Sequence, residues 1–181
     1  GIDVGDSENE TFWTEFLRDL KDRGLAGTRL VISDAHAGLK AAIRRVLQGV
    51  AWQRCRVHAM RNLLSVARHQ HRQVIAALIR TIFAQPDGPS ARMQLRSVVD
   101  QLETIAPDVA ARLLAMEDDL LAYTAFPPSH WSKIWSNNPI ERLNRELKRR
   151  TDVVGIFPNV ESVIRLVGAL LVEINDEMIA A

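Results

Sequence analysis

The stretch "TRLVISDAHAGLKAAIRRVLQGVAWQRCRV", residues 28–57, decides the fold. It opens on an apolar β-type run, "TRLVIS", that stops at Asp34. "AGLKAAIRRVLQG" then sets Leu39, Ile43, Val46 and Leu47 at helical spacing and ends at Gly49. "VAWQRCRV" alternates as a strand does. Strand, helix and strand in that order predict a parallel pair with a crossover helix packed on it, an α/β layer.

Upstream, "GIDVG" reads as the end of another strand. Ser7 and Glu10 suit a capping box for an amphipathic helix over "ETFWTEFLRDLKDRG", which repeats Phe12, Phe16 and Leu20 at intervals of four. Downstream, from about residue 57 to 125, the pattern is helical only, with "QPDGPS" and "AP" as punctuation. "FPPSHWSKIWSNNP" marks a return, followed by a basic helix, the turn "GIFPN" and a last apolar helix, "VESVIRLVGALLVEIND".

The composition suits a domain with a real core: 181 residues, 47% hydrophobic and 25% charged. No apolar run approaches the roughly 20 residues of a membrane span, and a cytoplasmic location is expected. A single cysteine, Cys55, excludes an internal disulfide framework. The net charge of +1 conceals strong blocks: residues 35–86 hold nine basic side chains and no acidic one, and residues 129–151 hold six basic against two acidic. Folded onto one surface, these blocks would attract a polyanion; solvated basic helix faces are the commoner explanation in general, but a 52-residue run without any acid favours the anionic partner.

Two acids stand where chemistry is placed. Asp34 follows a strand, at the edge where open α/β sheets put catalytic groups, and it equally suits the N-cap of the next helix. Glu141 lies in "NNPIERLNRELKRR", where Asn138 suits an N-cap, Pro139 the first helical position and Glu141 a capping-box acid. Glu141, Asn144, Arg145 and Lys148 share one helix face, so that Glu141 either pairs with Arg145 or acts as a metal ligand with Lys148 holding a phosphate. Cys55 and His58 form "CRVH". A buried thiol with a hydrogen-bonded histidine is the plain reading, and a zinc set with His69 and His71 or a Cys–His nucleophile pair are the alternatives. Trp131 and Trp135 read as core rather than as base-stacking platforms, and His36 either orients Asp34 or caps.

The segments "RLVISDAHAGLKAAI", "WQRCRVHAMRNLL", "IRTIFAQPD", "AFPPSHWSKIWSNNPIERLNRELKRRTDVVGIFPN" and "VIRLVGALL" together resemble the mutator-type transposases of bacterial insertion sequences, in the same order and over nearly the whole chain. The resemblance implies a helix-rich α/β protein with a partial ribonuclease H-like fold: a core over residues 1–66, a mainly helical insertion over 67–125 and a return to the core over 126–181. It implies a DDE triad that binds two Mg²⁺ or Mn²⁺ ions and cleaves and joins DNA, with Asp34 and Glu141 as two catalytic, metal-binding acids. The C-x₂-H signature matches Cys55 and His58, in a structural or DNA-contacting role. Lys148 matches a basic DNA-associated position, and Arg145, Arg149, Arg150, Arg54, Arg56 and His58 join it as the expected DNA-facing set.

Partners implied are the element's ends and target DNA, with a homo-oligomer in the complete enzyme, nucleoid association and no membrane. On this resemblance "GIDVG" corresponds to the third strand, Asp3 is structural, and the first two strands, the first catalytic Asp and the amino-terminal DNA-binding region are expected to be missing. The chain alone is then expected to be an inactive or incomplete fragment. A non-catalytic DNA-binding or interaction protein is the alternative.

Overall fold

The computed structural model describes residues 1–5 and 9–180. In chain order the elements are α1 (Glu10–Asp22), β1 (Leu30–Ser33), α2 (Ala37–Val46), β2 (Ala51–Arg54), α3 (Arg56–Val66), α4 (Arg72–Ile82), α5 (Gly88–Ile105), α6 (Pro107–Ala115), α7 (Glu117–Leu121), α8 (Trp131–Ile134), α9 (Asn138–Thr151) and α10 (Val160–Ala180), with short 3₁₀ turns between some of them. No helix among the described residues is long and apolar enough to cross a membrane.

The deciding stretch folds as its pattern requires. β1 and β2 pair in parallel, Leu30 opposite Ala51 through Ser33 opposite Arg54, and α2 makes the crossover. Gly49, at φ +79°, supplies the left-handed residue that lets the chain leave α2 and enter β2 within a few residues. Ile43 and Val46 of α2 and Leu17 of α1 close over Trp52, forming a small core on the sheet. A larger core runs from Ala59 in α3 to Trp131 in α8, so the helices expected at 67–125 pack together with their neighbours on either side.

Several local expectations are corrected. "GIDVG" forms no strand: residues 1–5 are unpaired, and the sheet among the described residues has two strands. The segment instead lies against α1, so that a Cβ at Gly1 or Gly5 would run into Leu20 or Phe12. Ser7 lies outside the described residues; the α1 cap is Asn9, whose Oδ1 accepts from the Phe12 N–H at 2.9 Å.

The two packing units are tied by one buried amide. Gln53 of β2 donates to the carbonyls of Arg54 and Leu120, at 2.7 and 2.8 Å, and accepts from the Tyr123 N–H at 2.8 Å. Beside it Asp119 of α7 accepts from Lys40 of α2. A fully buried polar side chain with its amide satisfied on both sides fixes the sheet against the helices and specifies their register.

Candidate active site

Because β1 and β2 are parallel and in register to Ser33 and Arg54, the next residues, Asp34 and Cys55, leave the sheet side by side at its carboxyl edge. The Cys55 N–H donates to the Ser33 carbonyl at 2.8 Å, continuing the ladder by one bond. The Ser33 hydroxyl donates to the Asp34 carbonyl at 2.7 Å and accepts from the Trp52 indole at 2.9 Å, which holds this strand end in place. Asp34 is exposed. It does not cap α2: the cap is His36, whose Nδ1 faces the Leu39 N–H at 3.4 Å. Among the described residues the Asp34 carboxylate has no hydrogen bond or ion pair, and it stands at the edge where parallel sheets bind ligands.

The strand expected over "VAWQRCRV" ends at Arg54. Cys55 becomes the residue before α3, and Arg56 and His58 fall in its first turn. The cause is a long-range contact: the Arg56 N–H donates to the Trp135 carbonyl at 3.0 Å, and its guanidinium lies over the Trp135 ring at 3.5 Å and the Phe83 ring at 5.4 Å. Burial among these rings lowers the Arg56 pKa, opposed by the nearby Tyr123 and Cys55. Cys55 is fully buried.

The contact at Trp135 also delivers α9. This helix starts at Asn138, one residue earlier than the cap reading has it: Asn137 is the cap and its carbonyl accepts from the Glu141 N–H at 3.0 Å. Glu141 thus stands one position past the capping-box acid, and it does not pair with Arg145. It turns instead to α3, where Glu141 Oε1 lies 3.4 Å from His58 Nε2. The pair is at ion-pair distance but not aligned as a hydrogen bond, and both Glu141 Oε1 and His58 Nδ1 are buried without a hydrogen-bond partner. The ligating atoms of Cys55, His58 and Glu141 all lie within 4.8 Å of one another. His69 and His71 take no part in this group; His71 contacts Gln70 at 3.0 Å.

The expected DNA-facing residues divide by what already holds them. Arg145 and Lys148 are exposed and have no ion pair among the described residues. Arg149 and Arg150 both bind Glu146, and Arg150 also reaches Glu173 at 3.0 Å. These hydrogen bonds, first from Arg149 and then from Arg150, hold the Glu146 carboxyl down to about 2. Arg54 sits 3.9 Å from Asp119 and over Trp52. Trp131 is buried, donating to the Phe126 carbonyl at 2.7 Å, and Tyr123 meets Trp131 and Trp135 edge-on, so both tryptophans serve the core.

Trp135, expected only as core, and Asn137, not singled out at all, are the residues whose backbone carbonyls tie the start of α3 and of α9. Only their place in an aromatic and polar cluster before a helix start signals them; the partner, Arg56, is remote in sequence.

The whole chain, residues 1–181, matches the family described as Transposase, Mutator family. It is 51% identical over 179 residues to the transposase for insertion sequence element IS1081 of Mycobacterium tuberculosis, covering 99% of this chain and 43% of that protein. It is 42% identical over 178 residues to the transposase for IS406 of Burkholderia multivorans, covering 98% and 46%. A third relative, the transposase for IS256 in transposon Tn4001 of Staphylococcus aureus, is 39% identical over 183 residues, covering 99% and 46%. The chain thus spans a little under half the length of the curated relatives it matches, and it belongs to the Mutator family of transposases.

Proposed function

We propose that this chain carries two carboxylates, Asp34 and Glu141, of a DDE-type transposase site on a ribonuclease H-like core that cleaves and joins DNA with Mg²⁺ or Mn²⁺. One observation carries the reading. Asp34 and Cys55 leave adjacent parallel strands at the same edge, and Glu141 reaches the Cys55–His58 side of that edge from a helix remote in sequence.

The donor set fits a hard divalent cation. Asp34 offers an exposed carboxylate not spent on capping, and Glu141 offers a buried oxygen with no hydrogen-bond donor, an arrangement that costs free energy unless a cation shares it. When bound, such cations neutralise the phosphodiester and raise the nucleophilicity of water or a 3′-hydroxyl. The protein's own part is to present the two acids and to bring phosphate to them. Arg145 and Lys148, exposed on the helix that carries Glu141 and outside ion pairs among the described residues, supply that attraction. Arg149 and Arg150 are partly satisfied by Glu146 and contribute less.

The test is a DNA cleavage and strand-transfer assay in a complete transposase containing this chain. Asp34→Asn and Glu141→Gln each reduce cleavage and joining to background, while affinity for the element's ends is retained because the basic side chains are untouched. If Glu141→Gln cleaves at the parent rate, the catalytic reading falls and a non-catalytic DNA-binding role takes its place.

A further inference from the structure

We infer that Cys55, His58 and Glu141 form a binding site for one thiophilic transition-metal ion of the zinc class, which has Glu141 in common with the proposed hard-cation site but takes Cys55 and His58 in place of Asp34. The site stands on its own geometry and does not depend on the catalytic reading.

The three ligating atoms lie within 4.8 Å of one another and come from Cys55 at the head of α3, His58 in its first turn and Glu141 in α9. Two nitrogen or oxygen ligands about 2.0–2.2 Å from a zinc ion at the tetrahedral angle are about 3.3–3.5 Å apart. His58 Nε2 and Glu141 Oε1 are 3.4 Å apart. A charged hydrogen bond between the same atoms would close to roughly 2.7–2.9 Å, and none is formed. The separation therefore suits two ligands of one ion better than two partners of each other. The Cys55 sulfur lies within 4.8 Å of both atoms, in reach of an ion that would take it at the roughly 2.3 Å of a zinc–thiolate bond.

The chemistry of the set points the same way. Magnesium and calcium take oxygen ligands, whereas a thiolate and an imidazole select zinc and its neighbours. On binding, the Cys55 thiol releases its proton to solvent, and thiolate plus carboxylate balance the dication, with His58 neutral. The nearby arginines do not supply that balance: Arg56 is stacked on Trp135, and Arg54 is engaged with Asp119 and Trp52. Three protein ligands leave a fourth position for water.

The consequence for the fold is a clamp. α9 has no buried residue of its own, and its amino-terminal end meets α3 through His58 and Glu141. An ion held by both helices fixes the start of α9 against the sheet edge.

Titration of the reduced, metal-free 181-residue chain with Co²⁺ as a spectroscopic stand-in tests this. The expected result is one equivalent bound with a thiolate-to-cobalt charge-transfer band and intense tetrahedral visible bands, displaced by Zn²⁺ and not by Mg²⁺. Zn²⁺ also raises the melting temperature of the parent chain. Cys55→Ser loses the charge-transfer band. His58→Ala and Glu141→Gln each weaken binding by more than about 10-fold, since even partners one shell further out are worth that much. The parent spectrum needs no variant and so stands even if a substitution fails to fold. A weak octahedral spectrum without the thiolate band, or Zn²⁺ affinity unchanged in a folded Glu141→Gln chain, overturns the inference. Neither result bears on strand transfer, which is read in a separate assay.

Discussion

Gln53 holds the sheet to the helical body through two buried backbone groups, the Leu120 carbonyl and the Tyr123 N–H. Replacing it with Met keeps the volume and leaves the Leu120 carbonyl and the Tyr123 N–H without their partner. Each buried group left unpaired costs about 1–3 kcal/mol, so Gln53→Met, which orphans two, lowers the unfolding free energy by about 2–6 kcal/mol, read from urea titration. Tyr123 offers a second check because it is the only tyrosine. Its pKa is pushed up to about 12 by burial, against the opposing charge of Arg56. A folded value above the ordinary 10.0 means that the contribution to stability is full below pH 10 and is lost as pH rises from there toward 12. A tyrosinate absorbance titration of the folded chain is expected to show a midpoint about two units above that of the urea-unfolded chain; coincident midpoints contradict the burial. Neither role was legible in the sequence. A lone Gln in an alternating strand looks like a solvated position, and its partners lie far along the chain.

At the scale of the element, α9 is where local signals were most informative and still misplaced one thing. "NNP" marks a helix start, and the helix forms, but the carbonyl that accepts the first bond belongs to Asn137, one residue earlier. That shift carries Glu141 out of the capping box and toward His58. The anticipated Glu141–Arg145 pair gives way to Glu146 with Arg149 and Arg150, three and four residues on, which are equally allowed by helix geometry. Because Glu146 is held down to about 2, from an ordinary 4.5, its stabilisation of α9 is present above pH 4.5 and is lost as pH falls toward 2. The pair is solvent-exposed, so the effect is small and screened by salt. Glu146→Gln is expected to show a smaller fall in melting temperature than the parent between those pH values at low ionic strength, a difference that added salt removes. An equal fall in both proteins removes the pair as a source of acid sensitivity. The α3 start was misread for a related reason. "VAWQRCRV" alternates through Arg56, but the Trp135 carbonyl captures the Arg56 N–H and turns the chain into a helix at Cys55.

For the molecule as a whole, the parallel β-α-β unit was legible because strand, helix and glycine signals agree within thirty residues. Expecting a third strand at "GIDVG" failed because a short β-type run specifies no partner, and here the segment rests on α1. The candidate site was legible in its parts only: Asp34 from its strand end, Cys55 and His58 from their spacing, and Glu141 from its helix. Ser33 meets Cys55, while Arg56 and His58 meet Trp135 and Glu141, contacts that periodicity does not encode. On the proposed reading the two acids act as a unit: loss of either abolishes hard-cation binding, because a carboxylate from a strand end and one from a helix would share one ion.

Mn²⁺ binding to the chain, followed by electron paramagnetic resonance, tests that convergence most directly, with Cys55→Ser as the background so that the thiolate set does not compete. The account predicts one site that is lost in Asp34→Asn, lost in Glu141→Gln and weakened no further in the double variant. Two independent, additive losses, or a site that survives Asp34→Asn, would contradict it.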